Sequence, residues 1–400
     1  MAKVAVLGYG TVGSGIVEVI KTNQELINKR AGREIDVKYI LDLRDFPGDP
    51  YEDLIVHDVD VIMNDPEVEI VCEAMGGTGA AYAFTKAALS KGKSVCTSNK
   101  ALVAEYGTEL LELAKANNCN YLFEASCGGG IPIIRPLRSS LSPERIVAIK
   151  GILNGTTNYI LTKMEQEGAD FDAVLKDAQA LGYAEANPEA DIEGHDACRK
   201  IAILSSLGFG KTVYYKEVYT EGITKITIDD FAYMKQMNAT IKLLGMSKEA
   251  DGSYFAMVAP FVLTKENPLF HVEGVMNAIL VTGNTLGDTM YYGAGAGKLP
   301  TASAVVSDVM ECAMHEGIHL DCSWESEKLA LSSLDRAKRK FFVRVSGCAE
   351  DKIKSAFGDV KVLTGVKEGE LGFVTDVMTE NEYREKAAAF DVVSMIRVEG

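Results

Sequence analysis

No run of eighteen consecutive apolar residues occurs in this 400-residue sequence, so it offers no candidate for a helix that crosses a bilayer. A positively charged start followed by an apolar stretch and a cleavage site is also missing, and a soluble, unexported, cytoplasmic protein is expected. The eight cysteines include no Cys-x-x-Cys pair, which argues against a zinc site or a disulfide framework and fits thiols kept reduced. Positive charge is short as well: 41 Lys and Arg stand against 57 Asp and Glu, a net of −16 with no basic stripe. Nucleic acid is excluded as a partner, because phosphate neutralisation demands clustered cations. With membrane and nucleic acid set aside, a small molecule is the expected partner. What is present is ordinary globular material, 47% hydrophobic and 24% charged, in a chain long enough for two or three domains.

The chain opens with Lys3–Leu7, short, apolar and β-branched, followed at once by Gly8-Tyr9-Gly10-Thr11-Val12-Gly13 and then by apolar residues at helical spacing. Between a strand and a helix, GxGxxG is a dinucleotide fingerprint rather than a weak match. Gly8 permits the turn, Gly10 lets backbone approach a pyrophosphate, Gly13 lets helix pack on strand, and the amides around Thr11 and Val12 face the phosphate. A second strand, Ile35–Leu41, ends in Asp42-Leu43-Arg44. An acid there receives the ribose hydroxyl of NAD and an arginine takes the 2′-phosphate of NADP, so both coenzymes stay open. Strands at Glu69–Glu73 and Ser94–Thr97 deliver Met75-Gly76 and Ser98-Asn99-Lys100 at their carboxyl ends, where ligands bind in an open α/β sheet.

Three glycines after Cys127 imply a backbone that something approaches closely. Glu124, in an apolar context, needs a partner: a hard cation is one reading, a hydrogen-bonded carboxylate the other. Gly182 to Leu204 then moves from a carboxylate-rich loop into an amphipathic helix without a break in register, and Asp196 and Lys200 stand four apart on one face. Further on, Asp229 to Gly245 reads as helix-rich and Met257 to Leu263 as a strand. Tyr291 to Thr301 is a glycine loop after no clean strand, ahead of a helix Ala302 to His315 with small residues near its start. From Phe341 the order strand, helix, strand, strand, helix, strand matches a ferredoxin-like unit.

The expected fold is α/β: a Rossmann-like doubly wound sheet over 1–128, an α+β catalytic domain over 129–320, and a ferredoxin-like module over 340–400. A dinucleotide supplies hydride, so the protein must handle a proton. No histidine is well placed, His195 included, and lysine is the better candidate. If Lys100 and Lys200 meet at the domain boundary, each lowers the other's pKa while Asp196 opposes the effect.

Taken in order, GYGTVG, TSNKALVA, FEASCGGGIPII, GILNGTTNYIL, GYAEANPEADIEGHDACRK and GAGAGKLPTASAVV resemble homoserine dehydrogenase over roughly residues 1 to 320. The resemblance implies reversible NAD(P)-dependent interconversion of L-aspartate 4-semialdehyde and L-homoserine, a step of threonine and methionine biosynthesis. It makes Lys200 the proton donor, with Lys100 assisting beside the nicotinamide. Glu185 and Asp196 would hold the substrate amino group, Asp191 would shape the site, and Gly155, Thr156 and Tyr183 would line it. Gly182 and Gly297 match cofactor contacts, and Glu124 with the carbonyls of Cys127, Gly129 and Ile131 matches a monovalent-cation site, usually sodium. The resemblance also implies a homodimer, or a homotetramer, with 129–320 as the dimerisation domain, and a first domain closed by a segment returning near 300–320. The last module resembles an ACT domain, although Cys348-Ala349-Glu350 stands where the usual Pro-Gly-Val-Leu turn would be. A competing reading is a metabolite sensor built on a retired dehydrogenase. Intact Lys100, Glu185, Asp196 and Lys200 oppose it.

Overall fold

The structure, a computed structural model, describes residues 1–399. Its contacts divide the chain into two compact units: Met1–Arg145 with Ala202–Tyr214 and Tyr291–Lys328, and Ile146–Ile201 with Tyr215–Met290 and Leu329–Gly400. Among the described residues no helix is long and apolar enough to cross a membrane.

The first unit is built on six strands ordered Ile55–Val56, Ile35–Leu41, Ala2–Leu7, Val68–Glu73, Ser94–Thr97 and Tyr121–Leu122, all parallel. From Ala2–Leu7 the chain steps outward on one side to Ile35–Leu41 and Ile55–Val56, then crosses to Val68–Glu73 on the other side, which puts a topological switch point at the carboxyl end of Ala2–Leu7. The core of the unit joins Val4 and Val6 of the strand, Ile16 and Val17 of helix Thr11–Thr22, and Ala302, Val305 and Val309 of helix Lys298–Met314. Small residues set that helix pair: a Cβ on Gly15 would come within 3.0 Å of the Ala302 Cβ. The expected Rossmann-like sheet is therefore present, with a late segment of chain packed into its core.

The second unit carries a sheet in which Met276–Gly283, Ile146–Ile152, Ala239–Ala250, Ser253–Thr264, Asp391–Glu399, Lys338–Ser346, Glu370–Val374 and Val362–Leu363 are successive neighbours, with Gly287–Ala294 on the first edge. Residues 338–399 do alternate strand, helix, strand, strand, helix, strand, with a short extra strand Met378–Thr379. They are continuous with the larger sheet, because Asp391–Glu399 pairs in parallel with Ser253–Thr264.

Three readings of the sequence need correction. Asp229 to Gly245 is not all helix: Asn238, at φ +52°, ends helix Ile228–Met237, and Ala239–Ala250 is a strand paired along its whole length with Ser253–Thr264. Its first nine residues are buried on both faces, and the alternation of ATIKL gives way at once to LLGM, so the period of two is too short to mark the strand. The glycine loop at 295–297 does follow a strand, Gly287–Ala294, whose partner Met276–Gly283 had no sequence reading either. Finally, the passage from the acidic loop into the central helix is broken. Helix Glu189–Ile192 stops, Gly194 turns at φ +82°, and helix His195–Phe209 begins anew.

Candidate active site

In the first unit the dinucleotide turn is shaped by what its glycines exclude. Gly8 has φ +91°, and a Cβ on Gly13 would lie 1.8 Å from the Gly8 carbonyl oxygen, so helix Thr11–Thr22 can approach the turn only with glycine there. A Cβ on Gly10 would meet nothing within 4 Å. That helix has no side-chain cap and no acid in its first turn, which leaves its leading amides and positive dipole end to an anion. The residues present thus fit a pyrophosphate.

The ribose end is organised by Asp42. Its carboxylate accepts the Tyr9 amide at 2.9 Å and the Arg44 guanidinium at 3.0 Å, and the Arg44 bond holds its pKa well below the usual carboxylate range. At the ends of the next two strands, buried Glu73 accepts the Thr97 hydroxyl at 2.6 Å and the Met75 amide at 2.8 Å. The Asn99 side chain reaches back to the Gly77 carbonyl at 2.7 Å. Burial pushes the Glu73 pKa up against these hydrogen bonds. Asn99 also caps helix Lys100–Ala116 by accepting the Leu102 amide, so Ser98, Asn99 and Lys100 are fixed to the Met75-Gly76-Gly77 loop. The Glu73–Thr97–Asn99 relay was missed from sequence, where Glu73 reads only as the end of a buried strand.

Glu124 answers its own question. Its carboxylate accepts amides of Ile133, Ile134 and Arg135 at 2.5, 2.8 and 2.7 Å, so the side chain is hydrogen-bonded within the fold. The close approach implied by the three glycines is internal: a Cβ on Gly129 would meet the Gly295 carbonyl at 2.4 Å, and one on Gly130 would meet Pro300 at 2.8 Å. No cluster of three His, Cys, Asp or Glu suited to a metal occurs among the described residues. Beside Glu124, buried Asp308 bonds Arg135, and desolvation together with the Glu124 charge pushes its pKa up to about 8.

In the second unit the Asp196–Lys200 pair is buried, not solvated. Asp196 is 5% and Lys200 8% exposed. A buried ion pair must find partners for its remaining polar groups, and here it does. Lys200 Nζ donates to Asp196 Oδ2 at 2.7 Å and to the Leu153 carbonyl at 2.7 Å. The Asn154 amide nitrogen donates to Asp196 Oδ2 at 2.9 Å and to Asp191 Oδ1 at 2.7 Å, while its oxygen accepts the Thr157 amide and caps helix Gly155–Glu167. Asn154 is thus the residue that gathers Asp191 and Asp196, and it was not singled out from sequence. An Asn preceding Gly-Thr-Thr is a helix N-cap signature that could have drawn attention to it.

Thr156 donates to the Tyr183 carbonyl at 2.5 Å, and the Tyr183 ring packs on Tyr159, which ties the loop after Gly182 to the start of the same helix. Gly155 is required there, since its Cβ would fall 2.8 Å from the Val275 carbonyl. Gly182 and Gly297 both hold left-handed φ, at +76° and +124°. Glu185 stands apart: it is exposed, and its carboxylate makes no hydrogen bond or ion pair among the described residues. His195 is exposed too. Lys100 belongs to the first unit and Lys200 to the second.

Comparison with known proteins agrees with this chemistry. A family model described as homoserine dehydrogenase, NAD binding domain, matches residues 8–124, and one described as homoserine dehydrogenase matches residues 132–310. Homoserine dehydrogenases from Neisseria gonorrhoeae and Synechocystis are 44% and 46% identical, over 78% and 77% of this chain and 72% of each relative. Among solved structures, a homoserine dehydrogenase from Thiobacillus denitrificans superposes with a TM-score of 0.90 at 35% identity, covering 100% of this chain and 98% of that one. A hyperthermophilic archaeal homoserine dehydrogenase in complex with NADPH superposes with a TM-score of 0.67 at 30% identity, covering 78% and 98%. With two family models falling on successive stretches and likeness of sequence and structure sustained over most of its length, the chain belongs to the homoserine dehydrogenase family.

Proposed function

We propose that Lys200 delivers the proton when L-aspartate 4-semialdehyde is reduced to L-homoserine, and takes it back in the reverse direction. The enzyme is an NAD(P)-dependent oxidoreductase, and the nicotinamide coenzyme supplies the hydride. The observation that carries the assignment is the buried Lys200–Asp196 pair. Nζ is already a donor to Asp196 and to Leu153, aimed by Asn154 and by the helix that carries it. As hydride reaches the carbonyl carbon, negative charge grows on the aldehyde oxygen, and a proton passing from Nζ to that oxygen quenches it. Burial strengthens the interaction, because little water competes for the donor.

Asp196 and Asp191 supply acceptors for the substrate ammonium by charge-assisted hydrogen bonds, and Gly155, Thr156 and Tyr183 form the wall beside them. Glu185 joins this set by movement of its exposed loop onto the substrate. Lys100 assists from the helix start behind Asn99, while Gly182 and Gly297, with their left-handed backbones, meet the coenzyme. Asp42 and Arg44 receive the adenosine ribose or its 2′-phosphate, and the amides at Gly10 to Gly13 hold the pyrophosphate. A sodium ion enters this reading at Glu124 with the carbonyls of Cys127, Gly129 and Ile131, and no step of the reaction is routed through it. We also read residues 338–399 as an ACT-like module, on the strength of their element and strand order, and the enzyme as a cytoplasmic homodimer with reduced thiols.

The test is Lys200→Ala, assayed with homoserine and NADP by absorbance of the reduced coenzyme and, separately, by coenzyme titration. Turnover is expected to fall by about 10²- to 10⁴-fold with coenzyme affinity unchanged. Wild-type turnover in the variant would remove Lys200 from its role.

A further inference from the structure

The second unit contains a recess that the reaction does not use. It has a volume of about 390 Å³ and lies where the hairpin between Ala239–Ala250 and Ser253–Thr264 meets residues 332–339. Its floor is apolar, from Met246, Phe255 and Met257, and its rim is not. Lys150, Lys248, Arg336, Lys338 and Arg339 line it against only Asp251 and Glu399, a local net of +3 in a chain whose net charge is −16.

These cations are under-compensated. Lys150 is ion-paired to Glu399, but Lys248, Arg336, Lys338 and Arg339 make no ion pair among the described residues. Arg339 is half-buried. One terminal nitrogen approaches the Met257 sulfur at 3.1 Å, the guanidinium stands 5.8 Å from the Phe261 ring centre, and Nε is buried without any hydrogen-bond partner. Burial and the nearby Arg397 push its pKa down, against the opposing charges of Glu380 and Glu399. A half-buried guanidinium that feels Glu380 and Glu399 but forms an ion pair with neither, and whose Nε has no partner, retains unmet demand for an anion. The hydroxyls of Ser253 and Ser332 add donors to the same space.

We propose that this recess binds a small polyanion, a metabolite bearing two or more phosphate or carboxylate groups. A zwitterionic amino acid would leave most of the lining charge unanswered. Two or three clustered negative charges match the net charge of the lining, and the planar Arg339 fork suits bidentate contact with phosphate or carboxylate oxygens. The recess draws on strands from both the catalytic segment and residues 338–399, so occupancy would brace the two parts of one sheet.

The experiment uses the full chain with saturating NADP, which fills the dinucleotide site. Inorganic pyrophosphate and citrate are titrated by calorimetry at an ionic strength held constant with sodium chloride. Saturable binding of at least one probe at one site per chain is expected. Pyrophosphate alone would identify a phosphorylated ligand and citrate alone a polycarboxylate. The double variant Lys248→Ala, Lys338→Ala should bind roughly tenfold or more weakly while keeping wild-type turnover and thermal midpoint, since both side chains are exposed and outside the catalytic machinery. Absence of saturable binding by both probes, or equal affinity in the double variant, would overturn the proposal.

Discussion

Asn154 uses its whole amide. The oxygen accepts both the amide and the hydroxyl of Thr157, at 2.9 and 3.1 Å, and the nitrogen feeds Asp191 and Asp196. Only this orientation of the amide works, since the reverse would point an oxygen at two carboxylates. Asn154→Ala removes a helix cap and leaves two carboxylates short of a donor. We expect a loss of about 1–3 kcal/mol in stability and a fall in kcat/KM of about 10²-fold, read by thermal melts and by steady-state rates with aspartate semialdehyde and NADPH. Activity within twofold of wild type would show that Asp191 and Asp196 hold their places unaided. At this scale the sequence was partly legible. The pairing of Asp196 with Lys200 follows from helical spacing alone, whereas Asn154 acts on residues 37 and 42 positions away and no local pattern encodes that. The Glu124 carboxylate was left between two readings for the same reason, because the three amides that claim it arrive only when the chain turns at Ile133.

Among the elements, the opening strand, turn and helix make the sharpest comparison, because two glycines of one motif are needed for different reasons. Gly13 has no room for a Cβ, and Gly10 has room that the coenzyme would occupy. Gly13→Ala should therefore cost stability and coenzyme binding together, by about 2 kcal/mol or more through overpacking. Gly10→Ala should melt like wild type and bind NADP at least roughly tenfold more weakly. Melting curves with and without NADP separate the two, and identical behaviour of the variants would refute this division of roles. Elements of this kind, bounded by glycines and carrying clean periodicity, were legible at Ala2–Leu7, Thr11–Thr22, Ile35–Leu41, Val68–Glu73 and Ser94–Thr97. Ala239–Ala250 was not. Its opening ATIKL alternates for only five residues before the run LLGM breaks the period, and the structure buries both faces, Thr240 and Lys242 included. The hairpin from Met276 to Ala294 failed differently, its second strand being broken up by glycines and tyrosines that read as a loop.

For the whole molecule, residues 338–399 read in sequence as a module that could stand alone, and their internal order is as expected. The structure ties them to the catalytic segment with more than a linker. Arg344, 2% exposed, bonds Asp230 and Glu370, and Arg397, also 2% exposed, bonds Glu380 and Glu221. Removing the residues from 329 onward would strip Asp230 and Glu221 of their cations and bare the edge of Ser253–Thr264 along its pairing with Asp391–Glu399. We expect such a truncation to aggregate rather than to yield a merely deregulated enzyme, an unpaired buried edge being a template for association. Size-exclusion chromatography checks this, and a monodisperse truncated protein with the wild-type thermal midpoint would contradict it. The position of Asp391–Glu399 also governs how the protein comes into being. Phe261 pairs with Arg397, a partner 136 residues further along, so during synthesis the hairpin of residues 239–264 must wait with one side open until nearly all the remaining chain has been made. Closure of the sheet is then a late, long-range event of high contact order, and the interval before it is when the nascent chain has most need of a chaperone.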